Sequence, residues 1–284
     1  MTVFTGTQLQ SLGRLGRSWS VTAVLLVGAS IATYPLIYTV MAAFKTRSEF
    51  ASNRLGLPLH PTLANFGQAF ERLDISRLLL NSFVASIGGV VVTLVASLLA
   101  AYAIIKLRVP LRRFAFFLIV GSLLVPFQSI MYPLYDTMLA MGLIGQRIGL
   151  ILAFGAFGLP FSTFLLAAYL GGIPDELLEA ARLDGANSFN ILVRIILPLS
   201  IPAIASLTIL NFVWMWNDLL LPLLVMGGGD GKTLMVGVAN FRGQYDVNIP
   251  LISAGISVAI VPAVIVYLLG QRQLINGVVT GAVR

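Results

Sequence analysis

Residues 172–188 carry Asp175, Glu176, Glu179 and Arg182 on what reads as a short, sharply ended helix. Pro174 suits a first helical turn, where its missing N–H is not needed, and Asp175 and Glu176 sit beside the positive end of the dipole. Gly185 accepts the left-handed conformation that stops such a helix. Asn187 or Ser188 then caps a second helix running from Phe189 toward Pro198. Leu177, Ala180 and Ala181 form a small apolar patch beside the polar one of Glu176, Glu179 and Arg182. On pattern alone that surface fits either another protein's cleft or the lipid headgroups. In both cases the chemistry is binding, not bond-breaking.

Other reactive groups are scarce. His60 lies between Pro58 and Pro61 in a polar loop and reads as solvated. The chain has no cysteine, which excludes disulfides, zinc–thiolate sites and iron–sulfur clusters. The glycine-rich run 227–233 ends in Lys232 and Thr233 but lacks the spacing of a phosphate loop, so the chain is not expected to hydrolyse ATP or to bind a cofactor or metal itself. The net charge of +7 is scattered through the loops without an aromatic stripe, which argues for membrane topology and against nucleic acid.

The elements that position these residues follow from composition. With 58% hydrophobic and 10% charged residues, the chain lies far from a soluble domain, whose charged fraction is about 25%. Six stretches carry no charge at all: 18–44, 78–105, 114–135, 148–174, 195–217 and 247–271. Each exceeds the roughly 20 residues a helix needs to cross the hydrocarbon core. Membrane strands would need only about 9–11 residues and an alternating pattern that is absent. The expected fold is an all-α integral membrane protein of six spans, about 19–43, 79–105, 114–134, 148–170, 202–225 and 250–271. An arm, 1–17, precedes them, a helix–elbow–helix loop, 171–200, joins spans four and five, and a tail, 272–284, follows.

Polar groups inside a span are costly and face the bundle interior or a watery cavity. In span three Phe127 and Gln128 follow Pro126, and with Pro133 two helix breaks are expected there. Span five offers Asn211, Trp214, Trp216, Asn217 and Asp218, with interface anchoring as the competing role for the tryptophans; Asn211, Trp214, Asn217 and Asp218 are the path candidates. The segment 227–248 is long for a connector and opens with three glycines, so it is expected to be mobile and to work as a contact loop through Phe241, Arg242 and Tyr245.

Six spans put both termini on one side. The short second loop, with Lys106, Arg108, Arg112 and Arg113, makes that side cytoplasmic, together with loop 171–200. Lys45 and Arg47 in the first outer loop are exceptions to the same rule.

Glu179-Ala180-Ala181, then Gly185, then Ile195 and Leu197-Pro198 resemble, spacing included, the EAA loop of ABC importer permeases; Asp184-Gly185-Ala186 matches its commonest form. Trp216-Asn217-Asp218, Ala239-Asn240-Phe241, Gly243-Gln244-Tyr245 and the terminal run from Gln271 to Val283 are similar to the shorter permease subunit of maltose-type carbohydrate importers. The resemblance implies a bacterial inner-membrane subunit forming half of a sugar path. Its partners would be two cytoplasmic ATPase chains, which hold ATP and Mg, a second permease chain and an external solute-binding protein. The EAA loop would dock on an ATPase, and the last external loop would reach the binding protein. An importer of a non-sugar solute and a self-sufficient secondary transporter are the alternatives; paired internal repeats and deep ionisable residues, the marks of the latter, are not evident.

Overall fold

A computed structural model describes residues 6–107, 109–227, 229, 231–244 and 248–282; the side chains of 6–20, 73, 241–244 and 272–282 lie outside that description. Among the described residues every regular element is helical. Five helices are long and apolar enough to cross a membrane: Val21–Ala43, Ile75–Ile105, Arg147–Gly171, Ser188–Asn217 and Ile249–Gln271. A sixth span exists if Arg112–Leu124 and Phe127–Ala140, bent by 107° at their junction, count as one.

The chain divides into two compact units. The first, residues 1–69 with 247–257, holds α1 (Gly6–Ala43), α2 (Arg47–Ser52), most of α3 (Ala64–Leu73) and the start of the last helix. From Val21 onward α1 exposes apolar side chains all round, as a helix solvated by lipid must. The connection after it is built around Lys45, which is 1% exposed. Its ammonium donates to the carbonyl oxygens of Asn53, at 2.7 Å, and of Gly56. Asn65 donates to the carbonyls of Ala43 and Lys45, each at 2.8 Å. Lys45 therefore has a local reason for its place: it satisfies carbonyls that the loop leaves without other donors.

The second unit, residues 70–246 with 258–284, carries the rest: α4 (Ile75–Ile105), α5 (Arg112–Gly121) with a 3-10 turn (Ser122–Leu124), α6 (Phe127–Ala140), α7 (Arg147–Gly171), α8 (Asp175–Leu183), α9 (Ser188–Ile191), α10 (Leu197–Asn217), α11 (Leu220–Met226), α12 (Leu234–Gln244) and most of α13 (Ile249–Ala282). The pair α4 and α7 forms its centre. Their backbones meet at Gly155, where a Cβ would stand 2.4 Å from Val92 Cγ1, and Thr93 donates to the Gly155 carbonyl at 3.4 Å. Small residues at a helix crossing let dispersion and interhelical hydrogen bonds replace the hydrophobic effect, which has little force inside lipid.

Three expectations need correction. Span three breaks once. Val125 is extended (φ −82, ψ 116), as a residue before proline prefers, whereas Pro133 stays inside α6 and Thr137 donates to its carbonyl at 2.7 Å. The second helix of the 171–200 loop does not stop near Pro198. A π-helical turn, Leu192–Ile196, joins α9 to α10, so the loop's far arm and span five form one 30-residue helix. The wider turn accommodates Pro198, which lacks an N–H and would crowd the carbonyl four residues back. The 227–248 segment is not simply a mobile loop. It contains α12, whose Leu234 N–H donates to Ser82 Oγ at 2.8 Å, while Asn81 holds the Lys232 carbonyl at 3.0 Å. Leu234 and Val236 are buried.

Candidate functional site

The hairpin of α8 and α9 is anchored at its base and bare on its outside. Leu178 is the buried residue of α8 and packs with Leu98, Leu170, Ile191 and Leu207. The elbow closes as a Schellman motif: the Ala186 N–H donates to the Ala181 carbonyl at 2.9 Å and the Gly185 N–H to the Arg182 carbonyl at 3.0 Å. Gly185 has φ +83, which a residue with a Cβ adopts only under strain. Asn187 then caps α9 by accepting from the Asn190 N–H at 2.8 Å.

Two side chains from α4 tie this hairpin down, and a third, from α7, holds the start of α10 behind it; none of these bonds was expected from the sequence. Lys106, at the end of α4, donates to the Ile173 carbonyl at 2.6 Å and to Asp175 Oδ1 at 2.7 Å, with its side chain only 3% exposed. Tyr102 Oη donates to the Ser188 carbonyl at 3.0 Å, and Tyr169 Oη to the Leu199 carbonyl at 2.9 Å. The one signal for Lys106 was its place at the end of an apolar run, and a charge there reads first as topology.

Of the residues singled out in the loop, Glu179, Ala180, Asp184 and Gly185 are exposed, while Ala181 and Ala186 are partly buried against the core around Leu178. Leu197, exposed, and Pro198 lie on α10. The apolar surface also differs from expectation: Leu183, 89% exposed, and Phe189, 70% exposed, add to Leu177.

A second locus lies where α6, α7 and α10 meet. Phe127, Gln128, Trp214 and Asp218 line a cleft of about 200 Å³ together with Phe157, Leu220 and Leu221. Phe127 and Phe157 meet edge to face with centroids 5.3 Å apart. Asp218 sits in the gap between α10 and α11 and accepts from the Leu220 N–H at 3.1 Å. Rings beside an amide and a carboxylate can cover a sugar's C–H face while bonding its hydroxyls. Two span-five candidates stand elsewhere. Asn211 is buried and donates to Ser162 Oγ at 3.0 Å and the Leu207 carbonyl at 2.9 Å. Asn217 is exposed and donates to the Val213 carbonyl at 2.7 Å. Trp216, beside them, is core: its Nε1 donates to the Ala259 carbonyl at 2.9 Å and its ring lies 4.7 Å from that of Phe83.

Phe241 and Arg242 belong to α12, but their side chains, like all of Tyr245, lie outside the described residues.

Residues 93–277 match the family described as the inner membrane component of binding-protein-dependent transport systems, a range that takes in the tethered hairpin and the cleft. The chain belongs to that family. This permease is thus a transport component and not an enzyme. It is 36% identical over 229 residues to the alpha-glucoside transport system permease protein of Rhizobium meliloti, covering 78% of this chain and 60% of that relative's length. It is 30% identical over 264 residues to the diacetylchitobiose uptake system permease protein of Streptomyces coelicolor, covering 92% and 87%. Among solved structures, a chain of a bacterial ABC transporter involved in the import of the acidic polysaccharide alginate superposes with a TM-score of 0.78 at 27% identity, covering 95% of the permease and 99% of that chain. The all-helical membrane fold and the resemblance to ABC importer permeases therefore hold.

Proposed function

We propose that the permease forms half of the path by which an ABC importer takes up a sugar or sugar-like solute, and that the α8–α9 hairpin receives the work of ATP hydrolysis from an ATPase chain. One observation carries the coupling role: the hairpin is fixed to α4 through Lys106 and Tyr102 and packs on α4 and α7 through Leu178, while Glu179, Arg182, Leu183 and Phe189 are exposed. A push on the exposed face passes directly into two spanning helices. A helix resting on lipid has no use for such tethers. Asp184, Gly185 and Ala186 set the elbow, and Leu197 and Pro198 carry it into span five.

The partners are two ATPase chains with ATP and Mg, a second permease chain and an external binding protein. The hairpin and both termini face the cytoplasm. The cleft of Phe127, Gln128, Trp214 and Asp218, at about 200 Å³, is smaller than the roughly 300 Å³ of a complete small-molecule site, which fits one wall of a path completed by the second permease. Asn211 and Asn217 serve the same path from span five, and Phe241, Arg242 and Tyr245 contact the binding protein. The carbohydrate names of the relatives favour a sugar.

Glu179→Lys reverses charge on the exposed face and touches no tether. With the neighbouring transport genes co-expressed, ATP-driven uptake from a panel of α-glucosides and diacetylchitobiose should fall to background while the chain stays inserted. Normal uptake by that variant would refute ATPase docking at this face.

A further inference from the structure

At the hairpin end of the second unit, α4, α5, α7 and the 172–176 turn line a hollow of about 980 Å³; the coupling reading uses its Lys106–Asp175 side, and neither reading uses Arg112 and Arg113. We propose that this hollow binds the headgroup of an anionic phospholipid, with Arg112 and Arg113 holding its phosphodiester.

The hollow has the polarity of an amphiphile. Arg112 and Arg113 open α5, whereas Phe116 lies one turn further along that helix, about 6 Å deeper. Phe164 and Ala167 line it from α7, one to two turns back from the helix end at Gly171. Charge therefore sits at the rim and apolar surface below it, where the acyl chains of a lipid would begin. The outward face agrees: Phe114 and Leu118 are each 65% exposed, an arrangement suited to hydrocarbon.

The charges also select the ligand. Lys106 lines the hollow but is committed to Asp175 and the Ile173 carbonyl. The guanidinium groups of Arg112 and Arg113 have no hydrogen-bond or ion-pair partner among the described residues. With the Glu176 carboxylate in the same lining, the uncommitted groups leave one net positive charge. That matches the single negative charge of a phosphodiester better than a doubly charged phosphate. Guanidinium forks suit phosphate oxygens, and basic hollows between helices at a membrane face recruit acidic lipids.

The test uses the full-length chain with the subunits that co-purify with it, loaded with phosphatidylglycerol or phosphatidylcholine and read by native mass spectrometry. The wild type should retain phosphatidylglycerol in preference to phosphatidylcholine. Arg112→Gln with Arg113→Gln should lower that retention about 30-fold, whereas the two Lys replacements should keep most of it. Should the Gln pair fail to fold, Ala168→Trp fills the hollow from α7 with both arginines intact, and should displace the lipid as well. Equal retention of the two lipids, or retention unchanged by the substitutions, overturns the proposal. Displacement of phosphatidylglycerol by inorganic phosphate would make this a soluble-anion site and overturn it too.

Discussion

Lys106→Met removes the ammonium that fastens the start of α8 while keeping an unbranched stem of similar length, so it opens no large cavity. Two interactions are lost. The Ile173 carbonyl, beside a residue only 9% exposed, loses its buried donor, at a cost of about 1–3 kcal/mol. The ion pair with Asp175 counts for less, because that carboxylate is 44% exposed and water replaces the lysine, leaving about 0–1 kcal/mol. A local loss of about 2 kcal/mol raises the open population of the hairpin about 30-fold. Amide exchange reads this directly, since local opening governs exchange in segments less stable than the whole. The amides of Asp184 and Ala186, bonded to the Ala180 and Ala181 carbonyls, should exchange at least about tenfold faster, while those of α7 keep their wild-type rate. A change below about threefold at those two amides would refute the tether, and an equal acceleration in α7 would mean that the whole unit had loosened instead.

Gly185→Val meets open space, with nothing within 4 Å of the added Cβ, so its cost comes from the φ of +83, about 1–2 kcal/mol or more for a branched residue. Uptake should fail with the chain still inserted, and Gly185→Asn should be milder, because asparagine tolerates the left-handed region. Gly155→Val drives a branched side chain into Val92 and should lower the Tm of the solubilised chain, with about 1–3 kcal/mol lost to overpacking; an unchanged Tm would refute the close α4–α7 contact. Reporter fusions at Gly56, Arg112 and Ser188 should read outside, inside and inside, and an external Ser188 would overturn the orientation.

The stretches without charge were visible in the sequence because lipid penalises charge wherever a helix meets it, whatever the tertiary arrangement. The elbow was visible for a similar reason: Gly185 and Asn187 act through their own backbone and nearest neighbours. What escaped notice depends on partners distant in the chain. Trp216 and Asn211 resemble cavity-lining residues until Ala259 and Ser162 are seen to take their hydrogen bonds. The order in 232–238 rests on Asn81 and Ser82, some 150 residues earlier. Pro126 and Pro133 look alike in sequence, yet only the first coincides with a residue that has left the helical region.

The π-helical turn at Leu192–Ile196 fixes an angle as well as accommodating a proline. Such a turn holds one residue more than the α-helix around it, and one residue of an α-helix corresponds to about 100° of rotation. The azimuth of Phe189 at one end of this 30-residue rod, relative to that of Trp214 at the other, is therefore set by a single inserted residue. Deleting one residue from the turn would leave a continuous helix of ordinary pitch. It would also swing α9 by more than a quarter turn about the rod, carrying Ile191 off the core while Trp214 stayed where it is.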